Sequence, residues 1–192
     1  MIFFLYIYVY IIIGSCKTTY ENNIMYGDGG KALYHHCGLE NVSKNNIIHR
    51  TSSSSNNPIS KLIGACERTG GLYQSYTNYR NIYFLDDADG LSFSKPVDRF
   101  FDETPEFHHN LYWSLKKGDE SVAMFPDKKT WEEWKISGND TASLWEDPMF
   151  LDPQSRLYKL SDDSPAWDLG IKQIQLDNFG IQTEKCKYCK IN

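Results

Sequence analysis

Four short segments between residues 23 and 113 share one order of polar and apolar residues. Each begins with an asparagine, continues with two apolar residues, and ends with an aromatic residue or histidine: Asn23–Tyr26, Asn46–His49, Asn81–Phe84 and Asn110–Trp113. The asparagines are 23, 35 and 29 residues apart. This spacing is too uneven for a stacked helical repeat, but it suits parallel strands whose connecting loops vary in length.

The asparagines suggest how these strands would be arranged. Asparagine adopts left-handed backbone conformations readily, so each is predicted to turn the chain at the corner before its strand. Asparagine side chains in neighbouring strands can also form a hydrogen-bonded ladder. The first apolar residue after each asparagine is expected to face the core and the second to face outward. The pattern predicts an all-β fold of stacked parallel strands, with a β-sandwich as the alternative.

The pattern changes after Trp113. Residues Trp131–Ser137 are predicted to form one short helix, because a polar segment precedes them and Gly138 follows. Trp131 and Trp134 would share one helix face, so the helix is expected to cover an edge or end of the core. Beyond it, prolines frame short apolar pieces, a pattern typical of extended edge segments.

Composition and charge exclude some classes of protein. The chain has 192 residues, of which 15% are aromatic, and its net charge is −5. That aromatic content is incompatible with disorder as the main state. The acidic balance lacks the basic surface that a nucleic-acid backbone requires, so nucleic acid is not an expected partner.

The first thirteen residues are apolar and uncharged. A membrane-spanning helix needs about 20 such residues, whereas this segment has the length of the apolar part of a signal peptide and is followed by Gly14, Ser15 and Cys16. Three interpretations remain open: a signal peptide, a short membrane segment, or a start that is not the native one. The prediction is an extracellular protein. The alternative is membrane association through this segment, and membrane contact is expected only through residues 1–13.

The cysteines and two short motifs fit the extracellular prediction. If Cys16 is removed with a signal peptide, four cysteines remain, with open pairing: Cys37, Cys66, Cys186 and Cys189. Disulfides are favoured over a metal site, because no complete four-ligand spacing is present. Asn41 and Asn139 each begin an N-glycosylation motif.

The C-terminal half carries a family resemblance. The pieces are His109–Trp113, Trp134–Gly138 with Asp140, Asp147–Phe150 with Asp152 and Pro153, and Asp163–Ala166 with Leu169 and Gly170. Together they resemble the C-terminal part of right-handed parallel β-helix proteins of the pectate-lyase-like superfamily. Gly27–Gly30 and Asn45–His49 resemble an upstream coil of the same family, so the resemblance extends from Asn22 to Ile181.

The resemblance implies a right-handed parallel β-helix of few coils, with a short C-terminal capping helix and an extended tail. The expected division is an apolar segment at 1–21, coils at 22–114, a C-terminal cap region at 115–181 and a tail at 182–192. Family members usually have many more coils upstream, so the chain is expected to be a C-terminal fragment of a longer protein.

The resemblance also implies a polysaccharide or glycan partner on an outer face of the coils. The candidate catalytic residues are the acidic and histidine side chains of successive coils: Asp28, His35, His36, Asp86, Asp87 and His108. Paired carboxylates would serve glycoside hydrolysis, and an Asp or His base would serve a lyase. No cofactor is expected, although the acidic run that begins at Asp86 resembles a calcium-binding loop.

Two non-enzymatic alternatives stay open. Exposed aromatic residues such as Tyr79 would let the protein bind glycans without turnover. A structural or protein-interaction scaffold of the same fold is the other alternative, because fold alone does not fix function.

Overall fold

The computed structural model describes residues 9–10, 16–27, 33–35, 40–50, 61–65, 76–86, 91–93, 106–115, 123–125 and 129–175. Within these ranges the protein consists mainly of β-strands, with one six-residue helix. None of the described helical structure has the length and apolar character that a membrane crossing needs.

Most strands belong to three parallel sheets, which we name A, B and C. Sheet A contains β1 (Val9–Tyr10), β4 (Leu33–His35), β7 (Lys61–Ala65), β10 (Leu91–Phe93) and β13 (Ala123–Met124). Sheet B contains β2 (Thr19–Glu21), β5 (Asn41–Lys44), β8 (Tyr76–Tyr79) and β11 (Glu106–His108). Sheet C contains β3 (Ile24–Gly27), β6 (Ile47–Arg50), β9 (Ile82–Leu85), β12 (Leu111–Ser114) and β14 (Leu144–Trp145).

The chain enters sheets A, B and C in turn, and we call three such consecutive strands a circuit. Each strand pairs in parallel with the corresponding strand of the neighbouring circuit. In the last circuit, the helix α1 (Trp131–Ile136) stands between β13 and β14. The arrangement is compatible with a β-helix-like fold. Because the pairing is parallel, it excludes the β-sandwich alternative, whose sheets are antiparallel.

The four repeated segments form four neighbouring strands of sheet C, and their asparagines form the predicted ladder. The side-chain amide of Asn23 donates to Oδ1 of Asn46 at 2.9 Å, and Asn46 donates to Asn81 at 3.0 Å. Asn81 donates to Asn110 at 3.4 Å, and Asn110 donates to Oδ1 of Asp140 at 3.0 Å. The ladder satisfies polar groups that the stacked strands bury.

The left-handed conformation was predicted for the wrong residue of each repeat. The left-handed backbone belongs to the residue before each ladder asparagine: Asn22, Asn45, Arg80 and His109 have φ between 50° and 58°. The ladder asparagine is instead fixed by its hydrogen bonds. For example, the backbone N–H of Asn46 donates to Oδ1 of Asn81 at 3.0 Å. The corner therefore needs a residue that tolerates positive φ, followed by an amide side chain.

The predicted orientation of the two apolar residues was also wrong. The first lies on the outer face of sheet C under residues 150–174, the second lies in the aromatic interior, and β6 and β9 are therefore buried on both faces. The second apolar residues lie in register as one row: Met25, Ile48, Tyr83, Tyr112 and Trp145. The rings of Tyr83 and Tyr112 stack at 4.9 Å, and those of Tyr112 and Trp145 at 5.8 Å. Sheets buried on both faces have nearly continuous apolar strands, as these repeats do.

The helix prediction is confirmed, and its ends follow the expected chemistry. Thr130 is the N-cap: its side chain accepts from the backbone N–H of Glu133, whose carboxylate accepts from the backbone N–H of Thr130. Trp131 and Trp134 are the buried residues of α1. The ring of Trp134 stacks on Phe125 at 5.3 Å. The helix thus closes the aromatic interior beside the last strands of sheets B and C.

The outer face of sheet C is covered by residues 150–174, which we call the C-terminal strap. The strap begins as an antiparallel hairpin of β15 (Phe150–Asp152) and β16 (Leu157–Leu160). Its buried apolar residues are Phe150, Tyr158, Leu160, Ala166, Leu169, Ile171 and Ile174. They pack on the first apolar residues of three repeats, Ile47, Ile82 and Leu111. Near the end of the strap, the Asn45 side chain bonds both the N–H and the carbonyl of Lys172.

Candidate functional site

The outer face of sheet B carries a row of polar and aromatic side chains, which we call the sheet B row. Strand register aligns Glu21, Lys44, Tyr79 and His108. The neighbouring positions Ser43, Asn78 and Phe107 are buried, so alternation along the strands directs the row outward. Adjacent strands are about 4.8 Å apart, and four strands therefore extend the row over about 14 Å.

Each member of the sheet B row is held by a neighbour. Lys44 Nζ lies 2.8 Å from the Glu21 carboxylate, and this hydrogen bond and charge raise the pKa of Lys44. The rings of Tyr79 and His108 stack at 5.0 Å with 19° between their planes. The exposed Arg80 guanidinium lies 5.7 Å from the centre of the Tyr79 ring. The row thus presents a supported aromatic surface with cations beside it.

A pair of histidines ends the row. The Nδ1 atoms of His108 and His109 are 2.9 Å apart, a contact that needs one N–H donor and one acceptor. The two rings therefore cannot both carry a proton on Nδ1 while it persists. Histidine can transfer protons near neutral pH, so this end of the row holds a group capable of general acid–base chemistry.

A second group of titratable side chains lies between sheet C and the strap. His49 Nδ1 is 2.6 Å from the hydroxyl of Tyr158, and His49 Nε2 is 2.6 Å from Oδ1 of Asp86. His49 and Tyr158 are 3% and 4% exposed, whereas the Asp86 side chain is 33% exposed. Edge-on contacts with Tyr26 and Phe84 surround the imidazole. We call Asp86, His49 and Tyr158 the relay.

The protonation states of the relay follow from its surroundings. Burial lowers the pKa of His49, the hydrogen bond and charge of Asp86 oppose this, and the charge of Arg156 adds to it. Burial also raises the pKa of Tyr158, so the phenol keeps its proton. Because a carboxylate only accepts and this phenol has a proton to donate, we assign the neutral imidazole its proton on Nε2. With two members buried, the relay can position the strap but does not present a nucleophile to a large substrate.

The six predicted catalytic residues fall in different places. Asp86 follows β9 and belongs to the relay, whereas His108 lies on sheet B. His35 lies in β4, with its side chain outside the described part, and Asp28, His36 and Asp87 lie outside the described residues altogether. A shared catalytic role for the six residues stays a prediction.

Sequence reasoning missed His49 and Tyr158. The available signal was the fourth position of the repeat, where His49 stands in place of the aromatic residues Tyr26, Phe84 and Trp113. A titratable ring at a position otherwise filled by packing groups marks a special environment. Tyr158 had no comparable signal, because it lies 109 residues further along the chain.

The predicted modification sites differ in their burial, and some lie outside the described residues. The side chains of Asn41 and Asn139 are buried, so a glycan on either would displace the packing seen here; their glycosylation stays a prediction. Cys37, Cys66, Cys186 and Cys189 lie outside the described residues, and Cys16 is exposed. Within the described ranges, no three His, Cys, Asp or Glu side chains are grouped as a metal site would require.

Comparison with known proteins adds no relative: no family model, no curated protein and no solved structure matches the chain. The function is therefore inferred from the geometry of the sheet B row and the relay.

Proposed function

We propose that the chain is a right-handed parallel β-helix domain that works outside the cell and binds glycans along the sheet B row. The observation that carries the proposal is the outward stack of Tyr79 and His108, with Arg80 beside it. The passage of the chain through three parallel sheets supports the fold, and parallel crossover connections are right-handed in nearly all proteins.

The chemistry of the row favours a sugar over a protein or nucleic-acid ligand. Sugar rings have an apolar face that stacks on aromatic side chains. Tyr79 and His108 cover each other on one face, so a sugar would stack on the face of Tyr79 that points away from His108. Their order reduces the entropy that binding must overcome. The row is long enough to contact more than one sugar ring.

The cations of the row favour an acidic glycan. Arg80 is exposed, and a guanidinium can hold a carboxylate with two parallel hydrogen bonds. Lys44 is half-buried and bound to Glu21, so Arg80 is the cation that remains open to a uronate carboxylate. We therefore propose a polysaccharide that contains uronic acid as the ligand class.

Turnover is a separate part of the proposal. If the protein is an enzyme, it is a polysaccharide lyase or a glycoside hydrolase, with the His108–His109 pair as the group that moves a proton. A non-catalytic scaffold of the same fold is the alternative, and it has neither glycan affinity nor turnover.

The experiment measures binding of the whole chain to uronate polymers and to neutral glycans by calorimetry, with unsaturated products followed by absorbance. Tyr79→Ala removes the stacking surface and should weaken uronate binding about tenfold. Thr77→Ala, on the same face of β8 two residues away, is the matched control and should bind as the native chain does. Equal affinities for all three proteins, or no binding by the native chain, would contradict the proposal. Product formation that His108→Ala abolishes would establish turnover.

A further inference from the structure

We propose that the C-terminal strap is a pH-sensitive closure: neutral His49 holds it on sheet C, and a proton bound by the imidazole releases it. Release would uncover the apolar outer face of β6, β9 and β12, which the strap covers at neutral pH. This inference does not rest on glycan binding, because the relay and the sheet B row lie on different sheets.

The relay joins the strap to sheet C through titratable side chains. Tyr158 belongs to β16, His49 to β6, and Asp86 follows β9. The two 2.6 Å contacts of the imidazole therefore join three elements, one of which is the strap. The strap also contacts the sheets through apolar packing, the Asn45–Lys172 bonds, the Arg156 guanidinium 4.3 Å from the centre of the Tyr26 ring, and Gly170 beside the Arg80 side chain.

A proton on His49 changes the hydrogen bonds at one end of the relay. It comes from solvent and binds Nδ1, the nitrogen that accepts from the Tyr158 hydroxyl. The imidazolium then has a donor on each nitrogen, so the phenol must turn its hydrogen away and accept instead. The charge is also buried among aromatic rings, which disfavours the protonated form in the closed state.

The groups that face His49 have opposite effects on the pKa of its imidazole. Among the described residues they are Asp86 after β9, Tyr26 of β3, and Tyr158 and Arg156 of the hairpin. Asp86 favours the imidazolium, while Arg156 and burial disfavour it, and the balance lowers the pKa of His49 in the closed state.

The sign of the pH dependence follows from that balance. An exposed histidine has its ordinary pKa near 6.5, so the open state binds the proton more tightly than the closed state. Closure is therefore complete above about pH 6.5 and weakens as the pH falls below it. One proton changes the opening equilibrium by at most about tenfold per pH unit.

Hydrogen exchange read by mass spectrometry tests the closure on the full chain between pH 7.5 and pH 5, normalised to the exchange rates of unstructured peptides. Exchange in peptides of the strap should increase on acidification, while peptides around Asn78, which is buried in sheet B, should not change. His49→Gln stays neutral throughout and should lose the pH dependence. His108→Gln is the matched control and should keep it.

Two further variants should change the pH dependence in opposite directions. Asp86→Asn keeps an acceptor for Nε2 but removes the charge that favours the imidazolium in the closed state, so exchange in the strap should rise more steeply on acidification. Tyr158→Phe removes the hydrogen bond that the neutral ring accepts, so exchange in the strap should already be faster at pH 7.5 and should rise less on acidification. A strap that opens with unchanged pH dependence in His49→Gln would overturn the proposal. If that variant does not fold, the absence of these opposite changes in the other two would overturn it.

Discussion

The side-chain amide of Asn110 donates to the buried carboxylate of Asp140 at 3.0 Å, so the asparagine ladder ends on an aspartate. Ser143 donates to the same oxygen, and Tyr112 and Trp134 donate to the other. Four donors, from the ladder, the aromatic interior, the helix and the residue before β14, thus converge on one side chain, which is fully buried. Asp140 joins the repeated strands to the helix that covers them.

Replacing Asp140 with asparagine should destabilise the fold. The new amide has one acceptor oxygen for the four donors, and its NH₂ group faces donors that it cannot satisfy. A buried donor left without a partner costs about 1–3 kcal/mol, so we expect Asp140→Asn to lower the free energy of unfolding by about 3 kcal/mol. Denaturant unfolding measures the loss. Asp147→Asn, at an exposed position, is the control and should change it little.

The same variant should change how stability depends on pH. Burial raises the pKa of Asp140, although its four hydrogen bonds oppose the shift. The folded state therefore binds this proton more tightly than the unfolded state, and the stabilisation is fully present below about pH 4 and lost as the pH rises through the folded pKa. The deficit of Asp140→Asn should accordingly become smaller as the pH rises above 4. A deficit that stays constant or grows over that range would show that the four hydrogen bonds, rather than burial, determine the pKa of Asp140.

The interior of the ladder should be intolerant of apolar residues. Asn81 is fully buried, and its side chain bonds Asn46, Ser43, Asn78 and Asn110. Asn81→Leu would fill the volume but leave several of these groups without partners, so we expect a loss of about 3–5 kcal/mol in unfolding free energy.

The control for the ladder is Asn22→Gly. Asn22 is exposed and has φ near 58°, a conformation that glycine adopts without strain. We expect this variant to remain within about 1 kcal/mol of the native protein. Similar losses for both variants in thermal or denaturant unfolding would mean that the buried hydrogen bonds of the ladder contribute little.

How much of this structure the sequence predicts depends on how local the interactions are. The strand that contains His49 and the ladder position of Asn46 follow from a four-residue pattern. The helix follows from the polar segment before it, Gly138 after it and two tryptophans. What covers sheet C does not follow from that pattern, because the contact of His49 with Tyr158 joins residues 109 apart. The apolar residues of the strap occur in short pieces with no regular spacing. Nothing in their sequence therefore indicates which face of which sheet they cover.

The N-cap of α1 should contribute a measurable part of the stability. Thr130→Ala removes the side-chain oxygen that accepts from Glu133, and the capping box with it. Such substitutions cost about 1 kcal/mol, and the buried tryptophans of α1 would transmit the loss to the whole fold. Thr141→Ala, at an exposed position outside the helix, serves as the control in the same unfolding measurement. An equal effect of the two substitutions would rule out a contribution of the capping box.

Two glycines offer a test of the contact between the strap and the sheet B row. Gly138 and Gly170 both have positive φ, 92° and 71°, so alanine at either position strains the backbone. A Cβ at Gly138 meets nothing within 4 Å, whereas one at Gly170 lies 3.1 Å from Nε of Arg80. Both variants should lose about 1 kcal/mol of stability. Only Gly170→Ala should displace the Arg80 guanidinium, and it should therefore weaken uronate binding, as measured by calorimetry, while Gly138→Ala binds normally. Equal affinities for the two variants would place Arg80 outside the binding surface.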